Sequence, residues 1–141
     1  MEESLKKVLA DTFALYLKAH NFHWNVEGAN FSEFHDFFGE LYLELFEAVD
    51  FIAEQIRSID AYAPGSFSRF QELTTIKDEN SVVNSMAMVR KLEQDNKIVI
   101  ASLVAAYKEA EAEKELGLAN FLQNRIEIHN KHGWMLRAYQ K

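Results

Sequence analysis

The residues best suited to metal chemistry lie in the segment KAHNFHWNVEGANFSEFHDFF and on the predicted helix that follows it. They are His20, His23, Trp24, His35, Asp50 and Glu54. Imidazole nitrogens and carboxylate oxygens together form a common ligand set for divalent iron and zinc in proteins. The residue types therefore indicate a metal site with mixed nitrogen and oxygen ligands.

The spacing of these residues predicts where such a site must be built. His23 ends one predicted helix and His35 begins the next, so the short turn between them can bring the two rings together. From His35 to Asp50 is fifteen residues, or roughly 22 Å along a helix, which one metal ion cannot span. If two copies of this helix pack antiparallel across a twofold axis, His35 of one copy faces Asp50 and Glu54 of the other. We therefore expect two identical sites per dimer.

The composition limits the class of protein. With 141 residues, 48% of them hydrophobic, the chain has the size of one domain, residues 1–141. It contains no Cys, which excludes disulfides and thiolate metal sites, and no apolar run approaches the ~20 residues of a membrane span. The net charge is −7 and neither end carries a basic tail, which argues against strong DNA binding. We expect a cytoplasmic protein.

Apolar periodicity predicts four long helices. They run from about Ser4 to Trp24, from an N-cap at Ser32 to about Asp60, from about Ser81 to Glu111, and from a turn at residues 114–117 onward. The segment from Ala61 to Asn80 breaks the pattern at Pro64-Gly65, and SFSRFQEL within it predicts one short helix. A crossover of this length lets the second and third long helices run parallel. The predicted fold is all-α, a ferritin-like four-helix bundle with a short extra helix in the crossover.

The second helix carries two apolar strips at about 100° per residue. The first, a core strip, consists of Phe34, Phe38, Leu41, Leu45, Ala48 and Ile52. The second, the interface strip, consists of Tyr42, Phe46, Val49 and Ala53, and a monomer would leave it exposed. Because His35 and Asp50 flank the interface strip, we expect the metal site to lie at a contact between subunits. The third helix is predicted to add Val82, Met86, Val89, Val99, Leu103 and Tyr107 to the core.

A metal site inside the bundle is not expected. In ferritin-type bundles such a site uses Glu-x-x-His motifs, and none of the five histidines has Glu or Asp three residues before it. His129 and His132 lie three apart on the last helix, where a structural role is favoured over a weak divalent site. Trp24 is expected to pack at the end of its helix.

The segment KAHNFHWNVEGANFSEFHDFF and EAVDFIAEQI, supported by FSRFQELTTIKDE and RIEIHNKHGWMLRA, resembles the Dps family, the DNA-binding proteins from starved cells, within the ferritin superfamily. The resemblance covers nearly the whole chain. It implies a hollow shell of twelve subunits in which His23 and His35 of one subunit, with Asp50 and Glu54 of its partner, bind and oxidise iron(II). The oxidant is typically hydrogen peroxide, iron(III) oxide is stored in the cavity, and Trp24 is placed to intercept a stray oxidising equivalent.

Position 39 departs from the family pattern. The family usually has Asp or Glu four residues after the second His, and here that residue is Gly39. Glycine supplies no ligand and costs about 1 kcal/mol in a helix interior relative to Ala, so we expect altered iron binding with one well-formed iron position. Two alternatives to a ferroxidase stay open. One is a cage that holds zinc or another divalent ion structurally at the same residues, and the other is a DNA-protecting shell without catalysis, against which the charge counts.

Overall fold

The structure, a computed structural model, describes residues 1–141 and contains five helices and no strands. The helices are α1 (Glu2–Asn25), α2 (Phe31–Ser58), α3 (Phe67–Leu73), α4 (Ser85–Ala112) and α5 (Leu116–Ala138). In the bundle α1 packs on α2 and α4, α4 packs on α5, and α3 lies in the crossover against α1. This confirms the predicted all-α four-helix bundle with a short extra helix. None of its helices has the length and apolar character that crossing a membrane needs.

The ends of α2 differ from the prediction. The helix begins at Phe31 because Asn30 occupies the N-cap, so the prediction of Ser32 as the N-cap was wrong and Ser32 lies inside the helix. At the other end α2 stops at Ser58, two residues before the predicted end. Asp60 has a φ of +63°, a left-handed conformation that cannot continue a right-handed helix.

The start of α4 also lies later than predicted. Asn84 Oδ1 accepts a hydrogen bond from the Ala87 N–H at 2.9 Å, which caps a helix that begins at Ser85 and not near Ser81. Val82 therefore precedes the helix, and its side chain is 64% exposed. Its prediction as a core residue was wrong because the helical periodicity does not extend to it.

Both strips of α2 lie where their periodicity predicts. Every member of the core strip is buried. In the interface strip Phe46 is 57% exposed, and its ring packs beside Tyr16 of α1 with ring centroids 5.3 Å apart. The other members of the interface strip are half-buried at the edge of the core. The α1–α2 pair thus presents an aromatic and aliphatic surface that the chain itself does not cover.

A buried carboxylate fastens the crossover to α1. Asp11 is fully buried and accepts hydrogen bonds from Thr74 Oγ1 at 2.7 Å, the Thr75 N–H at 3.1 Å and Ser102 Oγ at 2.5 Å. Lys7 Nζ lies 2.9 Å from the same carboxylate and provides the opposite charge. Because a charge removed from water needs such partners, these contacts hold the crossover and α4 against α1, whose other end carries the candidate histidines.

Candidate metal site

The turn between α1 and α2 brings two of the candidate ligands together. It spans residues 26–30 and includes Gly28, whose φ of +116° favours glycine. His23 lies in the last turn of α1 and His35 near the start of α2. Their imidazole rings stack with centroids 3.8 Å apart and planes 19° from parallel. The predicted pairing of His23 and His35 across the turn is therefore present.

Reciprocal hydrogen bonds orient the two rings. His23 Nδ1–H donates to the His35 carbonyl at 2.7 Å, and His35 Nδ1–H donates to the His23 carbonyl at 2.7 Å. The His23 carbonyl is available because the last turn of a helix leaves carbonyl groups without intrahelical partners. Since each Nδ1 is used as a donor, the lone pair of each ring lies on Nε2, the usual arrangement of a histidine that binds metal.

A third histidine is committed to packing beside this pair. His20 stacks on Tyr42 with centroids 3.7 Å apart, and its ring packs at a tilt against Trp24 with centroids 3.9 Å apart. The Tyr16 hydroxyl and His20 Nδ1 are joined by a hydrogen bond of 3.0 Å. Burial, with a smaller contribution from nearby His23, lowers the pKa of His20 and so favours the neutral ring. Trp24 remains 58% exposed, packed at the end of α1 as expected.

The two carboxylates form a second pair further along α2. Asp50 and Glu54 are one helical turn apart and exposed. A hydrogen bond to Asp50 and the charge of Asp50 raise the pKa of Glu54, which shows that the two carboxyl groups lie close together. A neighbouring carboxylate disfavours the charged form of Glu54, which is the physical cause of this raised pKa.

One chain does not bring the two pairs together. No group of three or more His, Cys, Asp or Glu side chains within the chain converges where one metal ion could be held. The histidine pair lies near the start of α2, and Asp50 lies fifteen residues from His35, roughly 22 Å along the helix. Each chain therefore carries two candidate half-sites, the histidine pair and the carboxylate pair, towards opposite ends of the interface strip.

A partly buried ion pair links α2 to α5. Glu44 binds the buried guanidinium of Arg125 through both carboxylate oxygens and accepts a hydrogen bond from His132 Nε2 at 2.8 Å. Sequence reasoning did not single out Glu44 or Arg125. The available signal was helical spacing, since Arg125 lies three residues after Leu122 and four before His129, on the buried face of α5.

His129 is bound in the same network. Its Nε2 accepts a hydrogen bond from Arg125 Nη2 at 3.0 Å, and its Nδ1–H donates to Asn96 Oδ1 at 2.8 Å. Burial, aided by the positive charge of Arg125, lowers the pKa of His129 well below its usual value, so the ring is neutral. With both ring nitrogens occupied, His129 has no lone pair for a metal, which agrees with the expected structural role.

We expect Glu44→Gln to destabilise the protein by about 2 kcal/mol at pH 7. Burial by itself would raise the pKa of Glu44, but the hydrogen bonds from His132 and Arg125 outweigh it and lower the pKa to about 2. A lowered pKa stabilises the fold above the usual value of 4.5, and this stabilisation is lost as the pH falls from 4.5 towards 2. A shift of this size corresponds to ~3 kcal/mol, which partial exposure of the carboxylate reduces.

Urea unfolding of the wild type and Glu44→Gln at several pH values measures this effect. The difference in the free energy of unfolding between the wild type and Glu44→Gln should reach about 2 kcal/mol at pH 7 and should decrease as the pH falls from 4.5 to 2. Glu72→Gln is the control, because its ion pair with Arg69 is exposed and contributes little. Equal losses in the two variants at pH 7 would refute the prediction.

The chain matches a known family model and several curated proteins. The model of the ferritin-like domain matches residues 2–141. The DNA protection during starvation protein of Brevibacillus brevis is 32% identical over 135 residues, which cover 96% of this chain and 91% of the relative. An uncharacterized low temperature-induced protein of Nostoc sp. is 34% identical over 137 residues, covering 96% of this chain and 76% of the relative.

Solved structures agree with these relatives. The crystal structure of a Dps protein from Bacillus brevis superposes with a TM-score of 0.95 at 31% identity, covering 99% of this chain and 94% of that one. The Dps protein from Vibrio cholerae O1, described as a member of a superfamily of ferritin-like diiron-carboxylate proteins, gives a TM-score of 0.96 at 26% identity. It covers 99% of this chain and 88% of that one.

Proposed function

Since this chain belongs to the Dps family of the ferritin superfamily, we propose that it is an iron-storage and detoxification mini-ferritin whose ferroxidase site is shared by two subunits. Membership of the family supports iron storage in general terms. The proposal adds the residues that act, the oxidant and the assembly. Iron is the substrate and the stored product of this protein.

The observation that carries the proposal is the placement of the two half-sites about the interface strip. His23 and His35 present free Nε2 atoms at one end, and Asp50 and Glu54 present paired carboxylates at the other. A twofold axis that crosses α2 midway between them, between Tyr42 and Phe46, exchanges the two ends and covers the exposed apolar surface. Each of the two resulting sites combines His23 and His35 with Asp50 and Glu54 of the partner subunit.

The residues divide the chemistry between them. The imidazole Nε2 atoms bind the incoming iron(II), and the two carboxylates neutralise its charge and favour the harder iron(III) product. Two iron(II) ions each give one electron to hydrogen peroxide, whose O–O bond breaks as two protons are taken up to form two waters. Paired electron transfer avoids release of hydroxyl radical. Trp24, packed against His20 near the site, is placed to intercept a stray one-electron oxidant.

We propose that twelve subunits form the shell that stores the oxidised iron. A second function, structural binding of zinc or another divalent ion at the same four residues, is favoured by the absence of an acid at position 39 and by the affinity of zinc for His and carboxylate ligands. A DNA-protecting role is the weakest candidate. The net charge of −7 opposes binding to phosphate, so we expect no strong DNA binding.

Peroxide-driven iron oxidation by the assembled protein tests the proposal. The protein, sized by light scattering, is loaded with Fe(II) without oxygen, and hydrogen peroxide is then added while ultraviolet absorbance reports iron(III). We expect rapid oxidation by a twelve-subunit particle. An intact particle that oxidises iron no faster than buffer would refute the ferroxidase, and metal analysis of protein purified without added metal would then test for bound zinc.

A further inference from the structure

Gly39 is buried on α2, one turn after His35, and the imidazole of His23 lies against it. A Cβ built on Gly39 would be 3.1 Å from His23 Nδ1 and 3.2 Å from His23 Cε1. Non-bonded carbon atoms pack best at about 3.5–4.0 Å, so a side chain at position 39 would press on the His23 ring, which would have to shift by a few tenths of an ångström.

The His23 ring has little freedom to move away. Its Nδ1–H is held by the His35 carbonyl at 2.7 Å, and one face of the ring stacks on the His35 ring. Tyr42 lies on a further side, with ring centroids 5.1 Å apart. A displacement away from Gly39 would disturb the hydrogen bond that leaves Nε2 as the metal-binding nitrogen.

We propose that Gly39 is a positioning residue of the metal site, which admits the His23 ring against α2 and so sets the place of His23 Nε2. This inference rests on the proposed function and deepens it. Gly39 is then more than a missing ligand, because the His23 ring from α1 occupies the space that a side chain at position 39 would need. Adding an acid at position 39 would displace His23 and not complete a second metal position.

The chain provides a matched control. Gly117, in the first turn of α5, has nothing within 4 Å of a built Cβ. Gly39→Ala and Gly117→Ala therefore make the same chemical change in a helix, one against His23 and the other in open space. Metal binding that the wild type shows and Asp50→Asn lacks is the binding that belongs to the proposed site.

Co²⁺ titration of the assembled shells without oxidant, followed by visible absorbance and calorimetry, tests the inference. We expect Gly39→Ala to weaken the Asp50-dependent binding about tenfold or more and to alter the Co²⁺ spectrum, as changes in the residues that orient a metal ligand do. Gly117→Ala should match the wild type. Gly39→Asp should also bind more weakly, in spite of its added carboxylate.

The outcomes separate the inference from the function on which it rests. If Gly39→Ala keeps the wild-type affinity and spectrum, or if Gly39→Asp binds more Co²⁺ per subunit than the wild type, the positioning role is wrong and the proposed site stands. If the wild type shows no binding that Asp50→Asn removes, there is no such site to position, and both are wrong. A purely structural role for Gly39 would change the melting temperature and leave the spectrum unaltered.

Discussion

Shells assembled from equal amounts of His23→Ala and Asp50→Asn subunits are expected to recover about a quarter of the wild-type rate of peroxide-driven iron oxidation. Each variant alone should lose about 100-fold, because removing one charged or metal-binding partner costs ~3 kcal/mol. In a mixed dimer one site lacks both side chains, and the other has the intact histidines of one subunit and the intact carboxylates of its partner. Random pairing makes half of the dimers mixed, each with one working site of two.

The measurement needs subunits that exchange, so the two variants are dissociated, mixed and reassembled, and the shell is verified by light scattering before iron is added. A mixture of His23→Ala and His35→Ala is the control. Both changes fall on the same half-site, so no pairing restores an intact site and no recovery is expected. If the first mixture is no more active than its parents, the site is not shared between subunits in the way proposed.

The second large effect concerns assembly, and Phe46→Glu is expected to prevent the shell from forming. Phe46 is 57% exposed in the chain and lies at the middle of the interface strip, so a twofold contact there would bury it. A carboxylate buried without a partner costs roughly 3 kcal/mol or more, and the symmetry of the contact places two of them in each dimer. Iron oxidation should be lost together with assembly.

Light scattering and circular dichroism distinguish this result from unfolding. The variant should be a small species with wild-type helix content, because Phe46 is not part of the buried core. Gln94→Glu, which adds the same charge at an exposed position of α4, should assemble normally. A full-sized shell formed by Phe46→Glu would show that the interface strip does not lie at the subunit contact.

Several features of this protein were predictable because helix geometry is local and regular. The period of about 3.6 residues placed the core strip of α2 correctly from Phe34 to Ile52, and left Phe46 outside it. The fixed rise per residue separated His35 from Asp50, so the spacing alone predicted that one chain does not bring the two pairs of candidate ligands together. The short turn after His23 also predicted its pairing with His35.

Helix ends were less predictable because several residues compete to cap a helix. Ser32 and Ser81 are suitable N-cap residue types, yet Asn30 and Asn84 occupy the N-cap positions. Which residue becomes the N-cap depends on the backbone conformation of the preceding turn. Because Asn84 is the N-cap of α4, Val82 precedes the helix and is exposed.

By itself the sequence determined the fold class and the separation of the two pairs of candidate ligands along α2, because these depend on composition, helical period and rise. Tertiary structure decided how the ligands are held. The reciprocal hydrogen bonds of His23 and His35, and the binding of Glu44 by Arg125, join side chains from different helices. The contact of Gly39 with His23 also depends on the tertiary structure. In the sequence Gly39 is only an absent ligand. In the fold the His23 ring lies against Gly39, because α1 packs on α2.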